Sequence, residues 1–205
     1  MNVLPASGRI EDYLAEDDVI DYSAACIRAL SDTLSDEAED VTGYIKLAYE
    51  YVRDHISHSA DIGEDTIPCS ASEVLQAGHG ICFAKSHLLA ALLRVKSVPA
   101  GFCYQKLILD DDTAPVLVYH GLCGVYLAEY KKWIRLDARG NKEGVNAQFS
   151  VDEEHLAFPI RAGKGEEDSG IVYPNPDVKI LSALRGCKTR TELLPVKLGY
   201  LEKDP

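Results

Sequence analysis

Two glycines bracket a histidine just ahead of a cysteine in Gly78-His79-Gly80-Ile81-Cys82-Phe83-Ala84-Lys85-Ser86, and the chain then runs straight into Leu88-Leu89-Ala90-Ala91-Leu92-Leu93-Arg94. Glycines let the backbone turn, and the leucine- and alanine-rich run that follows is strongly helical and apolar. The pattern predicts a buried helix with the Cys82 thiol in its first turn. Backbone N–H groups there have no intrahelical partner and the helix dipole is positive. Both effects favour thiolate over thiol and lower the cysteine pKa.

Such a thiol becomes useful chemically when a base is at hand. Tyr119-His120-Gly121 offers an imidazole, and Trp133-Ile134-Arg135-Leu136-Asp137 a carboxylate. In the order Cys82, His120, Asp137, the imidazole draws the proton from sulfur, while the carboxylate fixes the ring tautomer and supports its positive charge. The backbone N–H of Cys82 supplies one oxyanion donor. Other histidines compete less well. His79 would have to fold back from a tight turn, and His87 lies about 140° round the helix from Cys82. His55 and His58 read as the end of the preceding helix, where a cation suits the dipole. Cys69, His79, Cys82 and His87 lack any familiar zinc-ligand spacing, so no metal is expected.

The remaining cysteines, Cys26, Cys69, Cys103, Cys123 and Cys187, sit mostly inside apolar runs at irregular spacing. They read as reduced buried thiols rather than a disulfide framework. The first eight residues carry no charged start and no apolar stretch, so no signal peptide is expected, and a cytoplasmic location follows. No run approaches the roughly 18 apolar residues of a membrane helix. Lysine plus arginine number 21 against 33 acidic residues, a net charge of −12. Such a surface disfavours nucleic acid and anionic lipid, and tolerates a neutral or basic substrate better than a polyanion.

With 205 residues and 46% hydrophobic content the chain can bury one sizeable core. Apolar spacing predicts helices over 24–34 and 36–56. Ser70-Ala71-Ser72-Glu73 has the capping-box pattern and opens a short helix that stops at Gly78. The Cys82 helix runs to about Val95. Strand signals then take over at 100–109, 116–127 and 132–137, with Asp110 to Pro115 as a polar, solvated hairpin loop. Helices first and an antiparallel meander afterwards means α+β. Residues 162–169 read as loop, and 178–184 as a late helix. The organisation expected is an N-terminal helical extension over 1–35, a core over 36–150, and a C-terminal loop-rich segment over 151–205 packed on that core.

In Tyr51-Val52-Arg53-Asp54-His55-Ile56-Ser57, in 71–94, in Val98-Pro99-Ala100-Gly101, at His120 and in 133–137, the chain resembles the transglutaminase-like superfamily of papain-fold thiol enzymes. The resemblance implies Cys82, His120 and Asp137 as a triad on a papain-like α+β fold, with no metal or organic cofactor. It also draws attention to Gln76, six residues before Cys82, the offset at which papain-like proteases place an oxyanion glutamine; an exposed glutamine at a helix end is the competing reading. The chain departs from the family at Phe83, where a small residue is usual, and at Gly121-Leu122, where an aromatic is usual. Phe83 and Leu122 are therefore expected to border the acyl pocket.

These readings converge on a cysteine enzyme that cleaves amide or peptide bonds through a thioester. Water is the acceptor always present, so hydrolysis (protease or amidase) is preferred to protein cross-linking. Its partners would be peptide, protein or small amide substrates. Two other readings remain: an inactive peptide-binding module on the same fold, and an acyltransferase that loads its thiol from an acyl donor such as acetyl-CoA.

Overall fold

The computed structural model describes residues 3–109 and 116–193; the hairpin loop expected at Asp110 to Pro115 lies outside the described residues. In chain order the elements are β1 (Leu4–Pro5), α1 (Ala25–Glu37), α2 (Val41–His55), β2 (Ser57–His58), α3 (Ala71–Ala77), β3 (His79–Gly80), α4 (Cys82–Arg94), β4 (Ala100–Leu109), β5 (Val116–Leu127), β6 (Lys132–Leu136), β7 (Glu167–Asp168), β8 (Ile171–Val172), α5 (Val178–Gly186) and α6 (Arg190–Leu193). The class is α+β: helices pack on a curled antiparallel sheet of order β6-β5-β4-β7.

Caps set the helix boundaries. Asp40 accepts a hydrogen bond from Gly43 N at 2.7 Å, which starts α2 at Val41 rather than at 36. Ser70 and Glu73 form the expected capping box, and Gly78 ends α3 in the left-handed conformation at φ 70°. Alpha4 is the centre of the molecule, with all thirteen residues buried. A helix buried on every side must satisfy its polar side chains internally. Here Ser86 Oγ donates to Cys82 O at 2.9 Å, His87 Nδ1 bonds Cys69 O at 2.8 Å, and Arg94 reaches the carbonyls of Ala15, Ala100 and Pro174. Lys85 Nζ donates to the carbonyls of Ile56, Arg53 (3.4 Å) and Arg139 (2.9 Å). That one ammonium ties α4 to the end of α2 and to the loop after β6.

Side chains alternate across the sheet. Cys123 and Val125 of β5 face α4 and join the main core with Leu88, Leu89 and Leu92. Leu122 faces the other way, into a second core with Tyr13, Cys103 and Val172. The 162–169 stretch, expected as loop, supplies β7, which pairs with Gln105 and Lys106 of β4. Two residues are too few to show a period. Further on, β8 pairs in parallel with β1, so the N-terminal strand meets the segment that follows β7. Gly101 is required at that crossing, because a side chain there would strike Tyr173 O, Val172 and Tyr13.

Candidate active site

Cys82 is the first residue of α4, and the helix's own bonding begins only with Lys85 N to Ile81 O at 2.9 Å. The Cys82 N–H therefore precedes the first intrahelical bond, at the positive end of the dipole. Cys82 is buried, with 9% of the residue exposed.

His120 comes from β5 and Asp137 from the residue after β6. Leu136 is the Cα partner of Cys123, so β6 ends before it reaches Gly121. At that open edge Gly121 N donates to Cys82 Sγ at 3.5 Å. By alternation, His120 and Asp137 lie on the same face as Leu122, not on the face that packs on the body of α4. The three side chains meet because the helix N-terminus reaches the sheet edge, where the His120 ring adjoins the sulfur.

His120 Nε2 and Asp137 Oδ2 are 2.8 Å apart, which leaves Nδ1 as the nitrogen that can serve the thiol. Asp137 is 1% exposed and fully bonded: Oδ2 also accepts from Ala157 N at 3.0 Å, and Oδ1 from Arg139 N at 3.2 Å. Burial opposes its charge, but the His120 imidazole and these two N–H groups outweigh burial and hold the carboxyl below its usual range. Burial likewise opposes charge on His120; the Asp137 and Cys82 anions beside it outweigh that and raise the imidazole well above its usual value. For Cys82, burial raises the thiol, while the His120 charge and contact, and more weakly His58, bring it down to about 6. The arrangement favours a thiolate–imidazolium pair.

Several parts of this site have no signature in the sequence. Phe158 packs edge-on against His120 with ring centroids 5.1 Å apart, and Ala157 beside it anchors Asp137. Both come from a segment with no periodic pattern. Arg139 binds Asp61 through two bonds, at 2.5 and 2.9 Å, and lies over the Phe158 ring. His58 is not in the last turn of α2, which stops at His55. It lies in β2 opposite Gly80 of β3, and so comes within reach of the Cys82 sulfur.

The other expected site residues are placed differently. Gln76 sits on the exposed side of α3, whose buried side is Ala71 and Val74. Leu122 does not border the cleft: strand alternation turns it into the second core, where it is fully buried. Phe83 turns its ring into the main core, against Gly121 and 6.2 Å from the Tyr104 ring. His79 bonds Ser59 Oγ at 3.0 Å and Thr66 Oγ1 at 3.3 Å, and its ring is thus committed away from Cys82.

Residues 28–138 match the model of the transglutaminase-like superfamily core. Among solved structures, the chain is similar to a protein of Cytophaga hutchinsonii described as a "putative cysteine protease", at 20% identity and a TM-score of 0.52, covering 65% of this chain and 43% of that one. A second, from Parabacteroides distasonis and described as a "putative protease", gives 13% identity and a TM-score of 0.41 over 74% of this chain and 30% of that one. The chain thus spans less than half the length of either structure. No curated protein matches it. Over more than half of its length, and in the fold that carries Cys82, His120 and Asp137, this chain belongs to the transglutaminase-like superfamily.

Proposed function

We propose that this protein is a thiol hydrolase of amide or peptide bonds, working through Cys82, His120 and Asp137. The observation that carries the proposal is the 2.8 Å bond between His120 Nε2 and Asp137 Oδ2, with the Cys82 sulfur beside the same ring. The Cys82 thiolate adds to the substrate carbonyl carbon, and the carbonyl electrons move to oxygen. The Cys82 N–H donates to that oxyanion. Collapse expels the amine, which takes its proton from the His120 imidazolium, and leaves a thioester on sulfur. His120, neutral again, then removes a proton from water as it attacks the thioester, and the acid leaves with the thiol restored.

Water is preferred over an amine as acceptor because it is always at hand; the protease description of the Cytophaga hutchinsonii protein is in keeping with that choice. The net charge of −12 suits a neutral or basic peptide, protein or small amide better than a polyanion. The free cysteines fit a reducing compartment, and a cytoplasmic location belongs to the same proposal. The test is acylation with p-nitrophenyl acetate followed by intact-mass and peptide mapping. An acetyl group on Cys82 that water then removes supports the proposal. Absence of that adduct, or release of p-nitrophenol by Cys82→Ala as fast as by wild type, overturns it.

A further inference from the structure

The Cys82 sulfur is flanked by two imidazoles, and only His120 has an evident part in the chemistry above. The other, His58, reaches it through a sheet of two two-residue strands. Ser57 N donates to Gly78 O at 2.9 Å and Ser59 N to Gly80 O at 3.1 Å, which clamps β2 against the residues that lead into α4. The turn after β2 is held from the other side of the site. Asp61 N bonds His58 O at 2.8 Å, and the Asp61 carboxylate binds Arg139 and Lys142, two and five residues beyond Asp137. The backbone around His58 is thus held by hydrogen bonds on both sides.

One of its ring nitrogens is left without a partner. His58 Nδ1 is buried and makes no hydrogen bond among the described residues. A buried polar atom left so is costly, and such a cost is expected where the partner arrives with a ligand. Nor is His58 placed like a second base. The carboxylate nearest to it along the chain, Asp61, is taken up by Arg139 and Lys142, whereas His120 has a carboxylate directly on its ring.

An attacked carbonyl brings what this site lacks, an acceptor oxygen that becomes negative next to the sulfur. We propose that His58 is the side-chain oxyanion donor of this enzyme: its ring N–H, together with the Cys82 N–H, binds the carbonyl oxygen of the acyl substrate as the thiolate adds. His58 neither gains nor loses a proton in the step; it donates one hydrogen bond that strengthens as the oxygen takes up charge. This fills the place that Gln76, on the exposed side of α3, does not take. The inference rests on the proposed thiol chemistry.

Two reactions of the same sulfur separate the roles. Acylation by p-nitrophenyl acetate passes through an oxyanion, whereas alkylation by iodoacetamide displaces iodide and forms none. Both are measured at about pH 9, above the ordinary thiol pKa, so that the thiolate is present throughout. His58→Phe keeps a ring and loses the donor, and His58→Gln restores an N–H. The expected result is acylation of Cys82 slowed about 100-fold in His58→Phe, with alkylation within about twofold of wild type. His58→Gln should recover at least about tenfold of the loss. Equal acylation by His58→Phe and wild type overturns the role of His58 alone, as does a parallel fall in both reactions, or a His58→Gln no faster than His58→Phe. A wild-type Cys82 that does not acylate at all overturns the thiol-enzyme reading, and the oxyanion role with it.

Discussion

Phe83 occupies the space that any side chain at position 121 would need. A Cβ on Gly121 would stand 3.0 Å from Phe83 Cε1 and closer still to Cδ1. The two departures from the family pattern are therefore one packing unit: a large residue after the nucleophile is accommodated by a glycine after the histidine. Since Gly121 N also donates to the Cys82 sulfur, this packing sets how close α4 comes to the edge of β5.

Gly121→Ala should accordingly destabilise the protein by about 2 kcal/mol through overpacking, and slow alkylation of Cys82 as the helix end is pushed away. Adding Phe83→Ala should relieve the clash. In chemical denaturation the double variant should lose less stability than the two single losses summed. Strict additivity would show that the two positions do not press on each other.

Asp137→Asn tests the orienting carboxylate. Both oxygens of Asp137 only accept, from His120, Ala157 and Arg139. An amide must oppose one of those N–H groups with its own, so a stability loss of about 2 kcal/mol is expected. Turnover of any substrate found should fall on the order of 1,000-fold or more, because the wrong tautomer of His120 then faces the thiol. Retained turnover would reduce the site to a Cys82–His120 dyad, with Asp137 a structural residue.

Lys85→Met should act on the site without touching it. The substitution keeps an apolar stem but strands three carbonyls, of Arg53, Ile56 and Arg139, that the ammonium now satisfies. A loss of about 3 kcal/mol in denaturant unfolding is expected, with slower Cys82 alkylation in the folded protein. A variant as stable as wild type would show that these carbonyls find other partners.

What could be read from the sequence is what local chemistry decides. The Gly78 stop, the Ser70–Glu73 capping box and the apolar run after Cys82 each act within a few residues, and all appear in the fold as expected. The pairing of His120 with Asp137 could be anticipated because β5 and β6 are adjacent in the chain. The role of the sheet edge could not, since it depends on the register that ends β6 opposite Cys123. His58 was hidden for a similar reason. It follows a helix that ends at His55, so it reads as helix; only a two-residue parallel pairing with β3 turns it toward the thiol. Ala157 and Phe158 reach the site from an aperiodic segment, where neither helix nor strand spacing points at a partner.

The most direct measurement is the pH profile of iodoacetamide alkylation at Cys82, followed by peptide mapping, in wild type and in His120→Ala. The His120 cation brings the thiol down to about 6, whereas burial raises the Cys69, Cys103 and Cys123 thiols. The thiolate is the reactive form and is lost as pH falls through the pKa. Wild-type Cys82 should therefore hold close to its plateau rate at neutral pH and fall to half of it only near pH 6, ahead of all five other thiols. In His120→Ala the acid limb should move up toward the ordinary thiol range of about 8.5. Superimposable profiles for the two proteins, or another cysteine labelled first at pH 6–7, would contradict a thiolate–imidazolium pair at Cys82 and His120.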